Sequence, residues 1–230
     1  MAKPQHIILV RHGESQGNAN KDIYLNTPDY AVKLTEKGKK QAEFAGNKMR
    51  ELTGDVPIKF YVSSYHRTRQ TFQGLAKAYS NHTLREDPRL REQEWSGKLR
   101  PAITTEAERD AYGTFYYRFD GGESCADIYD RISSFLDTLH RDFEKEEFPD
   151  VCCLVTHGMT LRVFLLRWFT SMVVEDFELL ANPENCCRIV LELQSGGKYK
   201  IMDDQVLIDK GIISALGKYK EARHNYQFSI

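Results

Sequence analysis

The chain has 230 residues, of which 41% are hydrophobic and 28% are charged, and its formal net charge at pH 7 is −1. This length and composition are typical of one globular domain, which we place over residues 1–230. A near-neutral chain gives no electrostatic reason to expect nucleic acid or a membrane surface as its partner. The first residues contain no apolar segment long enough for a secretory signal, so we expect a cytoplasmic protein.

Strand and helix patterns alternate along the sequence. The apolar run Ile7–Val10 predicts a first strand, and Thr35 is placed as the N-cap of a helix with apolar residues at helical spacing. The elements predicted after these are the strand KFYVSS, the helix YHRTRQTFQGLAKAYS, a helix over residues 125–145, the strand VCCLVTHG, the helix MTLRVFLLRWF and the strand CCRIVLEL. Because the strands are apolar throughout, both of their faces should be buried. We therefore predict an α/β fold with a mostly parallel central sheet sandwiched between helices.

Residues 98–123 break this alternation, and we interpret them as a partly helical insertion. The segment is rich in aromatic side chains, which most often pack into a core. A lid that presents an apolar wall to a substrate is the alternative. The aromatic residues concerned are Tyr112, Phe115, Tyr116, Tyr117 and Phe119. The tail after Gly196 has too little pattern for a prediction.

Three of the predicted strands end in polar residues that are capable of chemistry. One ends in RHG at residues 11–13, one in SS at 63–64 and one in THG at 156–158. The carboxyl ends of parallel strands border the ligand crevice of an open α/β sheet, so these ends should meet at one edge. A single buried histidine or a single solvated arginine needs no such explanation. Three polar strand ends together favour a binding or catalytic site.

The predicted helix after the second of these strands begins with Arg67 and Arg69. Cations are disfavoured in the first turn of a helix, because the helix dipole already makes that end positive. Their position predicts a nearby anion, and a helix N-terminus joined by arginines is typical of a phosphate site. No P-loop, no HExxH motif, no paired Cys/His spacing and no acidic cluster occurs. We therefore expect no metal and no cofactor, with imidazole as the nucleophile.

Five motifs then identify a family. LVRHGES, LTEKGKKQA, SSYHRTRQT, RLREQEWSG and VTHG occur in this order within residues 6–195. Together they resemble the histidine phosphatase superfamily, the phosphoglycerate mutase-like proteins of branch 1. FYYRFDGGES followed by YDRI resembles a eukaryotic subgroup of mutase-like phosphatases. The resemblance implies the three-layer phosphoglycerate mutase-like fold and a metal-independent phosphomonoester hydrolase.

The resemblance also implies a role for each site residue. His12 would become phosphohistidine, and Glu92 would protonate the leaving oxygen. The implied catalytic set is His12, Arg11, Arg67, Glu92 and His157, and the implied substrate-binding set is Ser15, Asn18 and the backbone at Gly158. Periodicity alone does not choose His12 over His157, or Glu92 over Glu94. The resemblance makes both choices.

The residues after Glu92 bear on the reaction type. Relatives similar to the glycolytic mutases continue from the acid with Arg-His-Tyr-Gly-Gly, whereas this chain continues with QEWSG at residues 93–97. The departure favours a phosphatase, with a cofactor-dependent phosphoglycerate mutase as the alternative. A non-catalytic phospho-ligand binding module is a lesser alternative. The substrate is expected to be a phosphorylated small molecule or a phosphopeptide, and the sequence predicts no oligomeric state.

Overall fold

The structure, a computed structural model, describes residues 3–96, 105–178, 180 and 182–202. Its sheet has six strands in the order β3-β2-β4-β1-β5-β6. The strands are β1 (His6–Arg11), β2 (Ile58–Val62), β3 (His82–Glu86), β4 (Val151–Thr156), β5 (Arg188–Leu193) and β6 (Tyr199–Ile201). The pairs β1/β4, β4/β2 and β2/β3 are parallel, and β5 is antiparallel to β1 and to β6. The prediction of a mostly parallel sheet is confirmed.

Helices cover this sheet, and two of the longest begin at side-chain caps. They are α1 (Gln16–Ala19), α2 (Glu36–Thr53), α3 (His66–Ala76), α4 (Thr105–Tyr112), α5 (Cys125–Phe143), α6 (Gly158–Trp168) and α7 (Val174–Glu178). The hydroxyl of Thr35 accepts the Gly38 amide hydrogen at 3.0 Å and begins α2 as predicted. Ser124 caps α5 in the same way through a capping box with Asp127. Within the described ranges, no helix is both long enough and apolar enough to cross a membrane.

The core lies on both faces of the sheet, which explains the continuous apolar strands. Along β1, Ile7 and Leu9 pack on the side of α5 and α6, while Ile8 and Val10 pack on the side of α2 and α3. All four side chains are fully buried. Burial of each such side chain contributes about 1.5–3 kcal/mol, so β1 is a rigid support for the residues that follow it.

The structure differs from the sequence predictions in several elements, and α1, α7 and β6 were not predicted. Strand β3 was not predicted, because it lies at the sheet edge and its residues are mostly exposed. Helix α3 ends at Ala76, earlier than the predicted helix. In the insertion, Phe115 and Phe119 are buried, whereas Tyr112 and Tyr116 are 71% and 61% exposed. The aromatic cluster is therefore divided between packing and surface. Residues 98–104 of the insertion and 203–230 of the tail lie outside the described residues.

The backbone after β1 touches the start of α2 at two glycines. A Cβ on Gly13 would lie 2.4 Å from the Gly38 carbonyl oxygen, and a Cβ on Gly38 would lie 2.1 Å from the Glu14 carbonyl oxygen. No side chain fits at either position, because the obstacle is backbone. The contact holds the loop after β1 against α2.

Candidate active site

The tips of β1 and β4 bring two histidines together. The strands pair with Arg11 opposite Thr156, so His12 and His157 each follow a paired residue. Their ring centroids are 5.2 Å apart, and their exposed fractions are 3% and 0%. The predicted convergence of the strand ends is confirmed for these two residues.

One nitrogen of His12 is committed to the backbone. Nδ1 lies 2.7 Å from the Gly13 carbonyl oxygen. A carbonyl oxygen only accepts hydrogen bonds, so Nδ1 carries the ring hydrogen and Nε2 keeps its lone pair. Nε2 in turn accepts a hydrogen bond from Nε of Arg67 at 3.3 Å. The unprotonated nitrogen of His12, Nε2, therefore faces the guanidinium of Arg67.

The electrostatic surroundings keep His12 uncharged. Burial lowers its pKa well below 6.5, and the guanidinium groups of Arg67 and Arg11 lower it further. Hydrogen bonding to the Gly13 carbonyl opposes this shift and is the smallest of these effects. The imidazole is therefore neutral at neutral pH, with its Nε2 lone pair unprotonated.

His157 has the opposite arrangement. Its Nε2 lies 2.8 Å from the hydroxyl oxygen of Ser63, which follows β2. Its Nδ1 is buried and has no hydrogen-bond partner in the described part of the chain. Burial lowers the pKa of His157 well below 6.5, and Arg67 and His12 add to that shift. A buried polar atom without a partner is costly, so Nδ1 indicates a place for a ligand atom.

The two predicted arginines line the same pocket. Arg11 donates from Nη1 to the Pro183 carbonyl oxygen, and its Nε is buried without a partner among the described residues. Arg67 is 3% exposed and binds Asp29, donating from Nη1 to Oδ1 at 2.8 Å and from Nη2 to Oδ2 at 3.2 Å. The Asp29 carboxylate thus supplies some of the negative charge that was predicted beside Arg67.

Arg69 does not belong to this pocket. Its Nε and Nη2 donate to the Glu86 carboxylate at 2.8 and 2.7 Å, and both side chains are largely exposed. The prediction that Arg69 marks a missing ligand anion is therefore wrong. A carboxylate from β3, the strand that the sequence did not predict, neutralises it.

Glu92 lies at the N-terminus of α6, directly beyond His157. Its carboxylate accepts backbone amide hydrogens from Gln93 at 3.1 Å, Thr160 at 3.3 Å and Met159 at 3.5 Å. The Thr160 hydroxyl also donates to Oε1 at 3.4 Å. A second carboxylate follows at Glu94, where burial raises the pKa and the charges of Asp29 and Glu123 raise it further. Glu94 is therefore a second, partly buried carboxylate that closely follows Glu92 in the chain.

Ser15 and Asn18 serve the loop that follows His12. Asn18 Oδ1 accepts the Ser15 amide hydrogen at 3.0 Å, and Ser15 Oγ accepts the Asn18 amide hydrogen at 3.2 Å. Asn185 bridges this cap to the nucleophile candidate, donating from Nδ2 to the His12 carbonyl and to Asn18 Oδ1, both at 3.1 Å. These contacts are within the protein, so a role in substrate binding stays a prediction for both residues.

Gly158 lies where α6 begins, between His157 and the loop before β5. A Cβ at this position would come within 2.1 Å of Asn182 Oδ1. The glycine therefore lets that loop approach the helix end, and a direct contact between its backbone and a substrate stays a prediction.

Several pocket residues were not identified from the sequence. Ser63 lies inside a recognised motif, so its place at a strand end was a usable signal. Asp29 lies in an irregular segment, and its partner is far away along the chain, so no local pattern marked it. Tyr65 packs its ring 4.9 Å from the Arg67 guanidinium carbon and 5.1 Å from the His157 ring. Nothing in its spacing separated it from a core aromatic residue.

The pocket is suited to a tetrahedral anion. It combines the neutral imidazole of His12, buried nitrogens of Arg11 and His157 that have no partner among the described residues, and a carboxylate at a helix N-terminus. Among the residues that the structure describes, no group of three His, Cys, Asp or Glu side chains is placed to hold a metal ion.

Comparison with known sequences agrees with this chemistry. The profile of the histidine phosphatase superfamily (branch 1) matches residues 7–202. The chain is 41% identical over 218 residues to phosphoglycerate mutase-like protein AT74 of Arabidopsis thaliana, which covers 86% of this chain and 68% of that protein. It is 29% identical over 289 residues to broad-range acid phosphatase DET1 of Saccharomyces cerevisiae, which covers 84% of this chain and 86% of that protein.

Comparison with solved structures agrees with the fold. Mycobacterial glucosyl-3-phosphoglycerate phosphatase superposes with a TM-score of 0.65 at 18% sequence identity, over 86% of this chain and 96% of that chain. At such low identity the similarity concerns the α/β fold alone.

Proposed function

This chain belongs to the histidine phosphatase superfamily, and we propose that it is a metal-independent phosphomonoester hydrolase that works through a phosphohistidine at His12. Membership implies a phosphorylated substrate and phosphatase or mutase activity. The observation that carries the proposal is the state of His12, whose Nδ1 is tied to the Gly13 carbonyl while Nε2 faces Arg67. That geometry leaves a neutral nitrogen as the nucleophile.

In the first step, Nε2 of His12 attacks phosphorus and the bond between phosphorus and the ester oxygen breaks. Glu92 donates a proton to the leaving oxygen, so an alcohol departs. Its carboxylate lies at the start of α6, the helix that follows His157. A covalent phosphoenzyme divides one difficult displacement into two easier ones.

In the second step, a water molecule attacks the same phosphorus and the P–N bond breaks. The Glu92 carboxylate takes the proton from the water, which restores the acid for the next cycle. Inorganic phosphate leaves and neutral His12 is regenerated. The net reaction is hydrolysis of the phosphomonoester.

Fixed donors stabilise the charge on the transferring group. The phosphoryl oxygens need positive or N–H groups that are already oriented. Arg11 Nε and His157 Nδ1 are buried without partners in the described part of the chain and can supply them. Arg67 adds a second guanidinium beside His12. Two guanidinium groups and an imidazole supply this stabilisation, so the proposal requires no metal ion.

The described arginines of the insertion favour hydrolysis over mutase activity, because each is paired with an acidic side chain. A mutase must hold the carboxylate of its sugar acid with free cations. In the insertion, Arg109 pairs with Asp110 at 2.8 Å and Arg118 pairs with Asp127 at 2.6 Å. Arg100 lies outside the described residues. A non-catalytic binding module is disfavoured because both the nucleophile and the acid are present.

Two assays on one preparation test this proposal. Phosphate release is measured from a panel of phosphorylated metabolites and phosphopeptides, with and without EDTA. A coupled enolase assay measures conversion of 3-phosphoglycerate to 2-phosphoglycerate with the bisphosphate primer present. We expect EDTA-resistant phosphate release and marginal isomerisation. Isomerisation faster than phosphate release would instead indicate a mutase, and binding without turnover would indicate a binding module.

A further inference from the structure

Asp29 contacts the pocket from a segment that has no role in the proposed reaction. It begins a 3₁₀ turn, Asp29–Ala31, in the connection between α1 and α2. Its carboxylate and its carbonyl oxygen together accept three hydrogen bonds from Arg67, at 2.7, 2.8 and 3.2 Å. The guanidinium that faces His12 is therefore already bound to an anion of the protein.

The hydrogen bonds to Asp29 decide which donors of Arg67 remain free. A guanidinium has five N–H donors in one plane. Both Nη1 hydrogens and one Nη2 hydrogen go to Asp29, and Nε–H points to Nε2 of His12. Nε–H and the second Nη2 hydrogen lie along the same edge of the guanidinium. Asp29 thus leaves that one edge directed at the nucleophile.

Asp29 is itself held in place. Burial and the charge of Asp29 raise the pKa of Tyr24 to about 12, so the Tyr24 hydroxyl lies near the Asp29 carboxylate. The segment that carries Asp29 is tied to the protein where it ends, because the Leu34 amide donates to Gln70 Oε1 at 2.7 Å. A carboxylate that accepts from two nitrogens of one guanidinium, on a segment attached in this way, can orient that guanidinium.

From these contacts we propose that Asp29 is a positioning and affinity-setting residue of this pocket. It turns the Nε/Nη2 edge of Arg67 toward the phosphoryl group on His12, and its negative charge weakens the hold of the pocket on phosphate. The first effect raises the rate of chemistry. The second speeds the release of product phosphate, because a carboxylate and a phosphate dianion bound to one guanidinium repel each other. The turnover part of this inference rests on the proposed function, whereas the affinity part does not.

Removal of the charge separates these two effects. In Asp29→Asn, we expect inorganic phosphate to bind about tenfold more tightly, a change of about 1.4 kcal/mol. We expect kcat for p-nitrophenyl phosphate to fall at least tenfold, because Arg67 is no longer oriented. Simple damage to the pocket would weaken phosphate binding, so tighter binding with slower turnover distinguishes the proposed role from a structural one. Asp29→Glu keeps the charge and should bind phosphate within twofold of wild type while kcat falls.

Helix α3 offers a matched control. Arg69 and Glu86 form a two-point pair of the same kind outside the pocket. Glu86→Gln should leave both kcat and phosphate affinity within twofold of wild type. Asp29→Ser is a second charge-removing variant if Asp29→Asn does not fold.

Phosphate binding is measured by isothermal titration calorimetry and turnover by release of p-nitrophenol. Phosphate binding that is equal or weaker in the folded charge-removing variant would overturn the affinity-setting role. An unchanged kcat in Asp29→Asn and Asp29→Glu would overturn the positioning role. A wild-type protein that hydrolyses no ester would refute the proposed function. The affinity-setting role of Asp29 would still be tested, because calorimetry measures phosphate binding without turnover.

Discussion

Strands β1 and β4 end in similar sequences, but the histidines that follow them form different hydrogen bonds. Each strand is apolar, each is followed by a histidine and a glycine, and the two strands are parallel neighbours. Both imidazoles are buried and neutral, with pKa values well below 6.5. The difference lies in which ring nitrogen of each histidine forms a hydrogen bond with the protein. His12 uses Nδ1 on the Gly13 carbonyl, and His157 uses Nε2 on the Ser63 hydroxyl.

This difference shows how one residue type acquires two roles in one pocket. A carbonyl can only accept, so the backbone fixes the tautomer of His12 and leaves Nε2 unprotonated, as the proposed nucleophile must be. A hydroxyl can donate or accept, so Ser63 fixes the position of His157 and allows either tautomer. We interpret the β1 tip as the site of covalent chemistry and the β4 tip as the site of charge stabilisation and proton transfer.

The largest expected effect is the loss of His12. His12→Ala should lower kcat by about 10⁴-fold or more, because no other nucleophile replaces it. His157→Ala should lower kcat by about 10²- to 10³-fold, the usual cost of losing one charge-stabilising donor. Quenching a labelled reaction in alkali should trap an acid-labile phosphoenzyme in wild type and in His157→Ala, and none in His12→Ala. A label that maps to His157 would reverse the two roles.

Replacement of Glu92 tests the acid on the β4 side. Loss of a general acid costs about 10²- to 10⁴-fold. In Glu92→Gln this loss should be large for alkyl phosphates and small for aryl phosphates, whose leaving oxygens need little protonation. Steady-state kcat/KM across a series of leaving groups measures the difference. Glu94→Gln is the matched control and should show no dependence on the leaving group, and the same loss for all esters would assign Glu92 to binding.

Ser63 should have a smaller effect that depends on His157. Ser63→Ala removes one hydrogen bond of about 0.5–1.5 kcal/mol, so kcat/KM should fall about 3- to 10-fold. The same substitution in a His157→Ala background should have almost no further effect. This double-mutant cycle on phosphate release measures the coupling. Additive losses would show that Ser63 acts independently of His157.

The last expected effect concerns stability, with no change in activity as its readout, and treats the two tips as equivalent. Both histidines bind protons more weakly in the folded than in the unfolded protein. Below pH 6.5 the unfolded chain therefore binds more protons, so the free energy of unfolding falls as the pH falls toward the lower folded values. His12→Gln and His157→Gln should each reduce this slope by up to about 1.4 kcal/mol per pH unit. Urea unfolding between pH 7.5 and 5.0 measures it, and a change in only one variant would contradict the equivalence.

Much of the fold could be predicted because its central strands are buried on both faces. The runs of β1 and β4 are continuous apolar segments followed by a polar tip, and this pattern marks a buried parallel strand. The edge strand β3 has no such pattern, because its exposed side chains do not need to be apolar. Because β3 was not predicted, its residue Glu86 was not recognised as the partner of Arg69. The charge on Arg69 was therefore wrongly attributed to a missing ligand anion.

The candidate site could be predicted as a set of residues and not as a set of contacts. Strand order brings His12 and His157 to one edge, and the family motifs choose the nucleophile. Hydrogen bonds between distant segments, such as the bond between Ser63 and His157, leave no pattern in the sequence. Asp29 is the clearest case, since a carboxylate in an irregular segment is usually solvated.

The contact between Gly13 and Gly38 has a consequence for inheritance. The start of α2 meets no substrate, yet any side chain at residue 38 would collide with the Glu14 carbonyl and displace the loop that carries His12. A genetic screen for loss of activity would therefore collect alleles at residue 38 together with alleles at residue 12. Each glycine is constrained separately, because a side chain at residue 13 meets the backbone of Gly38 and a side chain at residue 38 meets the backbone of Glu14.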